Sequence, residues 1–111
     1  MIKILRLPTY GPCEVKQIPN TLEALQQEVG GYIETLTLTS DLVLIMDEEG
    51  RLKGSSPNIP ARIFTDGLVG TVIAAGISGE EFASVPEDII RYAKDKLGRA
   101  GIEVKEANPV E

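Results

Sequence analysis

The stretch NTLEALQQEVGGYIETLTLTSDLVLIMD, residues 20–47, decides the fold, because a helix, a double-glycine corner and two strands follow one another in it. Asn20 is a favoured N-cap residue, and Glu23 three positions later suits a capping box, its carboxylate reaching back toward the positive end of the helix dipole. Leu22, Leu25 and Val29 recur at helical spacing and lay an apolar stripe along one face. Gly30 fits the position after the last helical residue, where a left-handed backbone costs glycine little, and Gly31 extends the corner. In YIETLTLTS, Tyr32, Glu34, Leu36 and Leu38 share one face and Ile33, Thr35 and Thr37 the other, the period of a strand. LVLIM at 42–46 has no alternation, so both of its faces are covered and a central place in the sheet is expected.

Outward from that block, IKILRL at 2–7 puts Ile2 and Ile4 on one face and Lys3, Leu5 and Leu7 on the other, so both faces carry apolar side chains and an interior strand is expected. Pro8, Gly11 and Pro12 make a corner, and the alternating run at 14–18 closes a hairpin with the first strand. After the second strand of the opening block, Asp47, Glu48, Glu49 and Gly50 read as a polar hairpin turn with Gly50 at positive φ, leading into Arg51, Leu52 and Lys53. Residues 54–70 are rich in proline and glycine, with one short helical turn after Pro60. TVIAA at 71–75 is a second doubly covered strand. Ser84 with Glu87 forms a capping box for a second helix whose stripe is Ile89, Ile90, Ala93 and Leu97, and whose outer face carries the spacings Glu87–Arg91, Arg91–Asp95 and Asp95–Arg99. Gly98 or Gly101 ends it. The alternation at 102–106 is weak and adds at most an edge strand, and 107–111 reads as a frayed tail.

These elements predict an α+β domain over residues 1–106, a mostly antiparallel sheet of about five strands with both helices packed on one face. A chain of 111 residues is one domain, large enough for a core without a metal or disulfide staple. With no Trp and 5% aromatics, the core is built from aliphatic side chains and offers few faces for stacking bases.

Charge and cysteine narrow the function. A net charge of -6 repels nucleic acid and anionic membrane, and neither is expected as a partner. No apolar run approaches the ~20 residues of a membrane span, and no leader pattern opens the chain, so a cytoplasmic setting is expected. Cys13 has no histidine anywhere in the chain to activate it and reads as an incidental thiol. Asp47, Glu48 and Glu49 lack the spacing of a calcium loop. The glycines around GISG at 76–79 lead into Glu80 and Glu81 rather than the Lys and Ser or Thr of a phosphate loop. No catalytic residue, metal ligand set or cofactor is assigned.

Three residues stand out as candidate ligand or partner contacts. Glu34 is a carboxylate on an otherwise apolar strand face, Tyr32 lies beside it, and Asn58 sits between two prolines in the long loop. Asn20, Glu23, Gly30, Gly31, Gly50 and Gly70 read as the structural signature.

Through TLEALQQEVGGYIE, the DEEG turn, Pro57–Asn58 and the GTV at 70–72, the chain resembles a family of short bacterial, phage and plasmid proteins known only as a domain of unknown function. Related sequences often carry Asn where this chain has Asp47. The resemblance implies a compact domain from a bacterial or mobile-element setting and supplies no reaction. Three readings stay open: a non-catalytic interaction or regulatory protein with a protein partner; a small-ligand binder using Tyr32, Glu34 and Asn58; and an acidic mimic that inhibits a nucleic-acid-binding enzyme. A homo-oligomer is compatible with each.

Overall fold

The computed structural model describes residues 1–107. The expected frayed tail at 107–111 therefore lies outside the described residues, apart from Ala107, whose N–H donates to the Val15 carbonyl at 2.9 Å. The elements in chain order are β1 (Ile2–Leu7), β2 (Cys13–Ile18), α1 (Leu22–Val29), β3 (Ile33–Thr39), β4 (Leu42–Asp47), a 3-10 turn (Pro60–Ile63), β5 (Val72–Ser78), β6 (Glu81–Ala83), α2 (Glu87–Arg99) and β7 (Val104–Glu106). The fold is α+β.

The sheet has seven strands, in the order β3-β4-β5-β1-β2-β7, with β6 paired to β5 off that path. All pairings are antiparallel except β2 with β7. Two strands beyond the expected five come from short segments. β6 folds back on β5 directly after Gly79, and β7 runs beside β2 with Cys13 opposite Val104. The wholly buried β4 lies one strand in from the edge, and β5 and β1 hold the centre instead.

The helices do not share a face. Leu25 and Val29 of α1 pack with Val43, Ile45, Ile73 and Ala75. Ile90, Ala93 and Leu97 of α2 pack with Leu44, Met46, Val72 and Ala74. Because successive strand residues point to opposite faces, these are two cores on the two sides of one sheet. The physical reason is in β4 and β5, whose runs Leu42–Met46 and Val72–Ala75 are apolar on both faces: each face needs a cover, and one helix supplies each.

Both expected helix caps are replaced by tertiary bonds. Asn20 donates its amide to the Phe82 carbonyl at 3.0 Å, which fastens β6 to the start of α1. Thr21 takes the cap position, accepting from the Ala24 N–H at 3.1 Å, so Glu23 stands at the second helical residue and forms no capping box. Leu22 is exposed rather than part of the stripe. Ser84 accepts from the Lys3 N–H at 2.9 Å, and α2 begins after Pro86 without a side-chain cap. Glu87 pairs with Lys3 rather than Arg91, and Asp95–Arg99 is the member of the expected charge ladder that forms an ion pair.

Candidate functional site

Two features at the β3 side of the sheet, the corner where α1, β4 and the 47–54 turn meet and the outer edge of β3, lie around Tyr32 and Glu34, while Asn58 stands apart from both. Gly30 closes α1 in the left-handed region, at φ 85°, and its N–H donates to the Gln26 carbonyl. Lys53 donates to the Gly30 carbonyl at 3.1 Å and to Asp47 Oδ2 at 2.7 Å, so a cation sits at the negative end of the helix. Asp47 Oδ1 accepts from the Glu49 N–H at 2.9 Å. The Lys53 hydrogen bond, with that from Glu49, holds the Asp47 carboxyl below the usual carboxylate range, and Asp47 in turn raises Lys53. The acidic turn therefore uses its first carboxylate on lysine.

This pair overturns the expected hairpin at Gly50. Lys53 must turn inward to reach Asp47, and residues 48–54 follow as consecutive turns rather than a strand. Gly50 has no positive φ; its requirement is room, since a Cβ there would come within 3.1 Å of Val69 Cγ2. Gly31 is tighter still, with Asp47 Oδ1 at 2.7 Å and Lys53 Nζ at 2.8 Å from where a Cβ would stand.

Asn58 is buried, and its carboxamide is occupied by backbone. It donates to the carbonyls of Leu7 and Gly70, both at 2.8 Å, and accepts from the Ala61 N–H at 2.8 Å. Both amide hydrogens are thus used in fastening the long loop to β1 and starting the turn at Pro60. Glu34 stands opposite Met46 and lines a cleft of about 170 Å³ with Glu48, Arg51, Leu52 and Leu68. Arg51 donates to the Gly67 carbonyl across that cleft. Tyr32 is 66% exposed at the same corner but does not line the cleft. The structure places Glu34 and Tyr32 on the surface near each other in sequence and puts Asn58 in the interior.

The edge of β3 was not singled out by sequence reasoning, since strand order decides which strand is left open. Among the described residues, β3 pairs with β4 and no strand lies on its other side. The Tyr32 carbonyl accepts from the Glu48 N–H at 2.9 Å, and the register runs on through Glu34↔Met46 and Leu36↔Leu44. In an antiparallel ladder a residue turns both of its backbone groups to one side and its neighbour turns them to the other. Ile33, Thr35 and Thr37 therefore present their N–H and C=O groups outward. Beside this edge, on the α2 side, an apolar groove of about 390 Å³ is lined by Leu38, Leu42, Ile63, Phe64, Ile89 and Tyr92. Phe64 and Tyr92 have ring centroids 6.1 Å apart, and the Tyr92 hydroxyl donates to the Ile63 carbonyl. Leu36, on the same strand face as Leu38, is 39% exposed.

Cys13 is buried in the α2-side core, and burial pushes its thiol up to about 11, against a smaller lowering by Arg6.

The family model described as a domain of unknown function, DUF3846, matches residues 2–98, nearly the whole of the described fold. The chain belongs to the DUF3846 family. Neither the curated proteins nor the solved structures gave a match. In this DUF3846 chain the matched segment runs from β1 to the last turn of α2 and includes the Lys53–Asp47 corner, the buried Asn58 and the β3 edge. No helix of the described residues is long and apolar enough to cross a membrane.

Proposed function

We propose that this chain is a non-catalytic interaction or regulatory protein, cytoplasmic and of bacterial or mobile-element origin, that receives an extended polypeptide strand along the outer edge of β3. The observation that carries the reading is the row of outward backbone groups at Ile33, Thr35 and Thr37 beside the apolar groove at Leu38 and Phe64. Strand addition of this kind takes affinity from main-chain hydrogen bonds and specificity from pockets for alternate side chains. A strand added here sends every second side chain toward the groove side, where the exposed Leu36 and partly buried Leu38 already point. Tyr32 and Glu34 flank the start of the same edge and would meet the end of that strand.

The Glu34 cleft supports a small-ligand reading less well, because about 170 Å³ is below the ~300 Å³ at which pockets for drug-sized ligands begin. The mimic reading needs a continuous acidic face. Against it, Glu14, Glu28, Asp47, Glu87 and Glu106 are each paired with a nearby Lys or Arg, which offsets their charge.

The test is Thr35→Pro, which deletes one outward N–H on an edge strand, where proline is tolerated. With an unchanged melting temperature, the variant loses partners that wild type retains in affinity capture followed by mass spectrometry. Capture of the same partners at the same yield by Thr35→Pro sinks the reading.

A further inference from the structure

The two ends of the strand path are built differently. β7, at one end, has three residues and carries Lys105 and Glu106. β3, at the other, has seven residues, no proline and no basic residue, and Glu34 is its single charge. Edge strands ordinarily carry charges, prolines or bulges that discourage pairing with another chain. In β3 the irregularity is confined to the C-terminal end, where the register shifts between Thr37 and Thr39.

We propose that the strand received by β3 is β3 of a second copy of this chain, running antiparallel about a two-fold axis at Leu36. The proposal rests on the strand-addition reading above and names its partner. In that register Thr35 stands opposite the partner's Thr37, and Thr37 opposite the partner's Thr35. These are residues whose backbone groups turn outward, so each such pair exchanges two hydrogen bonds. Leu36 meets the partner's Leu36 as a non-hydrogen-bonded pair, the closer of the two pair types, on the groove side of the sheet.

Charge and geometry reject the neighbouring registers. An axis at Glu34 sets two carboxylates directly opposite each other, which destabilises a sheet pair. An axis at Thr35 leaves them diagonal neighbours. At Leu36 they stand four residues apart along the strand, roughly 13 Å, beyond the ~8 Å Debye length at physiological salt. An axis at Thr37 carries the pairing through the register shift. The Leu36 axis also sets each Leu38 diagonal to the partner's Leu36 beside the Phe64–Tyr92 groove, with the partner's Glu34 directly opposite, so the exposed Leu36 is covered. Isologous contacts of this kind close after two subunits, because each copy's β3 edge is used up in the pair.

The experiment is sedimentation velocity on the full chain over a series from about 1 to about 500 µM, with Thr35→Pro, Leu36→Lys and Leu36→Glu alongside. Wild type is expected as a dimer. Each variant, folded by circular dichroism, raises the dissociation constant more than about tenfold, since each removes a hydrogen bond or sets like charges opposite each other. Mixing Leu36→Lys with Leu36→Glu restores a dimer, because unlike charges then face each other. Leu36→Cys becomes a disulfide-linked dimer under mild oxidation, and buried Cys13 does not interfere. A monomer throughout the series overturns the proposal, as does a dimer indifferent to all three variants. A dimer cross-linked through Thr35→Cys and not Leu36→Cys overturns the register. A monomeric wild type that still loses a captured partner on Thr35→Pro overturns the second copy and leaves strand addition standing, whereas a monomer whose partners ignore Thr35→Pro sinks both.

Discussion

Lys53 and Asp47 form one ion pair, Nζ to Oδ2 at 2.7 Å, that ties the last turn of α1 to the end of β4 and bends the acidic turn over both. The Asp47 carboxyl ionises more readily in the folded chain than in the unfolded one. Its stabilising effect is therefore complete above the ordinary aspartate value, about 3.9, and is lost as pH falls through the lower folded value. Asp47→Asn keeps an acceptor for the Glu49 N–H and gives up the charge. We expect the variant to melt below wild type at neutral pH, with the gap closing under acid. Thermal melts from about pH 7 to about pH 2.5 check this, and a gap that stays constant across that range refutes it. Glu106, held low by Lys94, adds a second acid-sensitive contact that is present in both proteins and cancels in the difference.

Gly31→Ala is expected to act through the same pair. Its Cβ would stand 2.7 Å from Asp47 Oδ1 and 2.8 Å from Lys53 Nζ, so one of the two side chains must leave. The melting temperature should fall by about 4–8 °C. Combining Gly31→Ala with Lys53→Ala should cost less than the sum of the two single changes, because the second finds the pair already broken. Strict additivity in a double-mutant cycle would show that Gly31 answers to something else.

Asn58→Ala strips three hydrogen bonds from a buried site and leaves the Leu7 and Gly70 carbonyls and the Ala61 N–H without that partner. Each such group costs about 1–3 kcal/mol, so urea unfolding should show a loss of about 3 kcal/mol or more. Asn58→Asp is expected to be worse at neutral pH, since a carboxylate would face two carbonyl oxygens. A loss below about 1 kcal/mol in the alanine variant would contradict the buried geometry.

Gly76 on β5 faces β6 so closely that a Cβ would lie 2.2 Å from the Ser84 carbonyl oxygen, a backbone atom that cannot swing aside. Gly76→Ala should therefore remove more stability than Gly79→Ala. At Gly79 the space is open and the cost is the φ of 64° alone, about 1 kcal/mol. Comparable melting temperatures for the two variants would mean that the β5–β6 hairpin gives way easily.

A thiol probe should find Cys13 silent in the native protein at about pH 8 and fully reactive in denaturant, because the folded thiol is raised to about 11 and lies out of reach of solvent. Rapid native labelling would show that the β2–β7 contact opens.

The local elements were legible in the sequence because their causes are local. The β1–β2 hairpin, the stripe at Leu25 and Val29, the corner at Gly30, the alternation of β3 and the turn after Pro60 all follow from periodicity and backbone preference. The misread residues are those whose partners lie far along the chain. Asn20 and Ser84 suit caps, but Phe82 and Lys3 compete for their side chains, and nothing near either residue announces it. β6 is three residues long and leaves too little pattern to count as a strand. The split of the helices was implicit in the double-faced runs of β4 and β5, since two apolar faces require two covers. In the candidate site, Glu34 was visible as a misplaced charge, whereas the exposed Leu36 and the open backbone row have meaning only after strand order is known.

The placing of β1 between β2 and β5 has a consequence for the order in which the molecule is made. Leu5 is synthesised long before its second partner, Ala74, and Lys3 waits longer still for Ser84. Until Val72–Ser78 has been synthesised, β1 and β4 each keep an apolar strand edge open, although the finished sheet buries all of β4 and most of β1. Nascent chains stalled before that point expose sticky edges of the kind that holding chaperones bind, so the vulnerable interval in this protein's life falls during its synthesis.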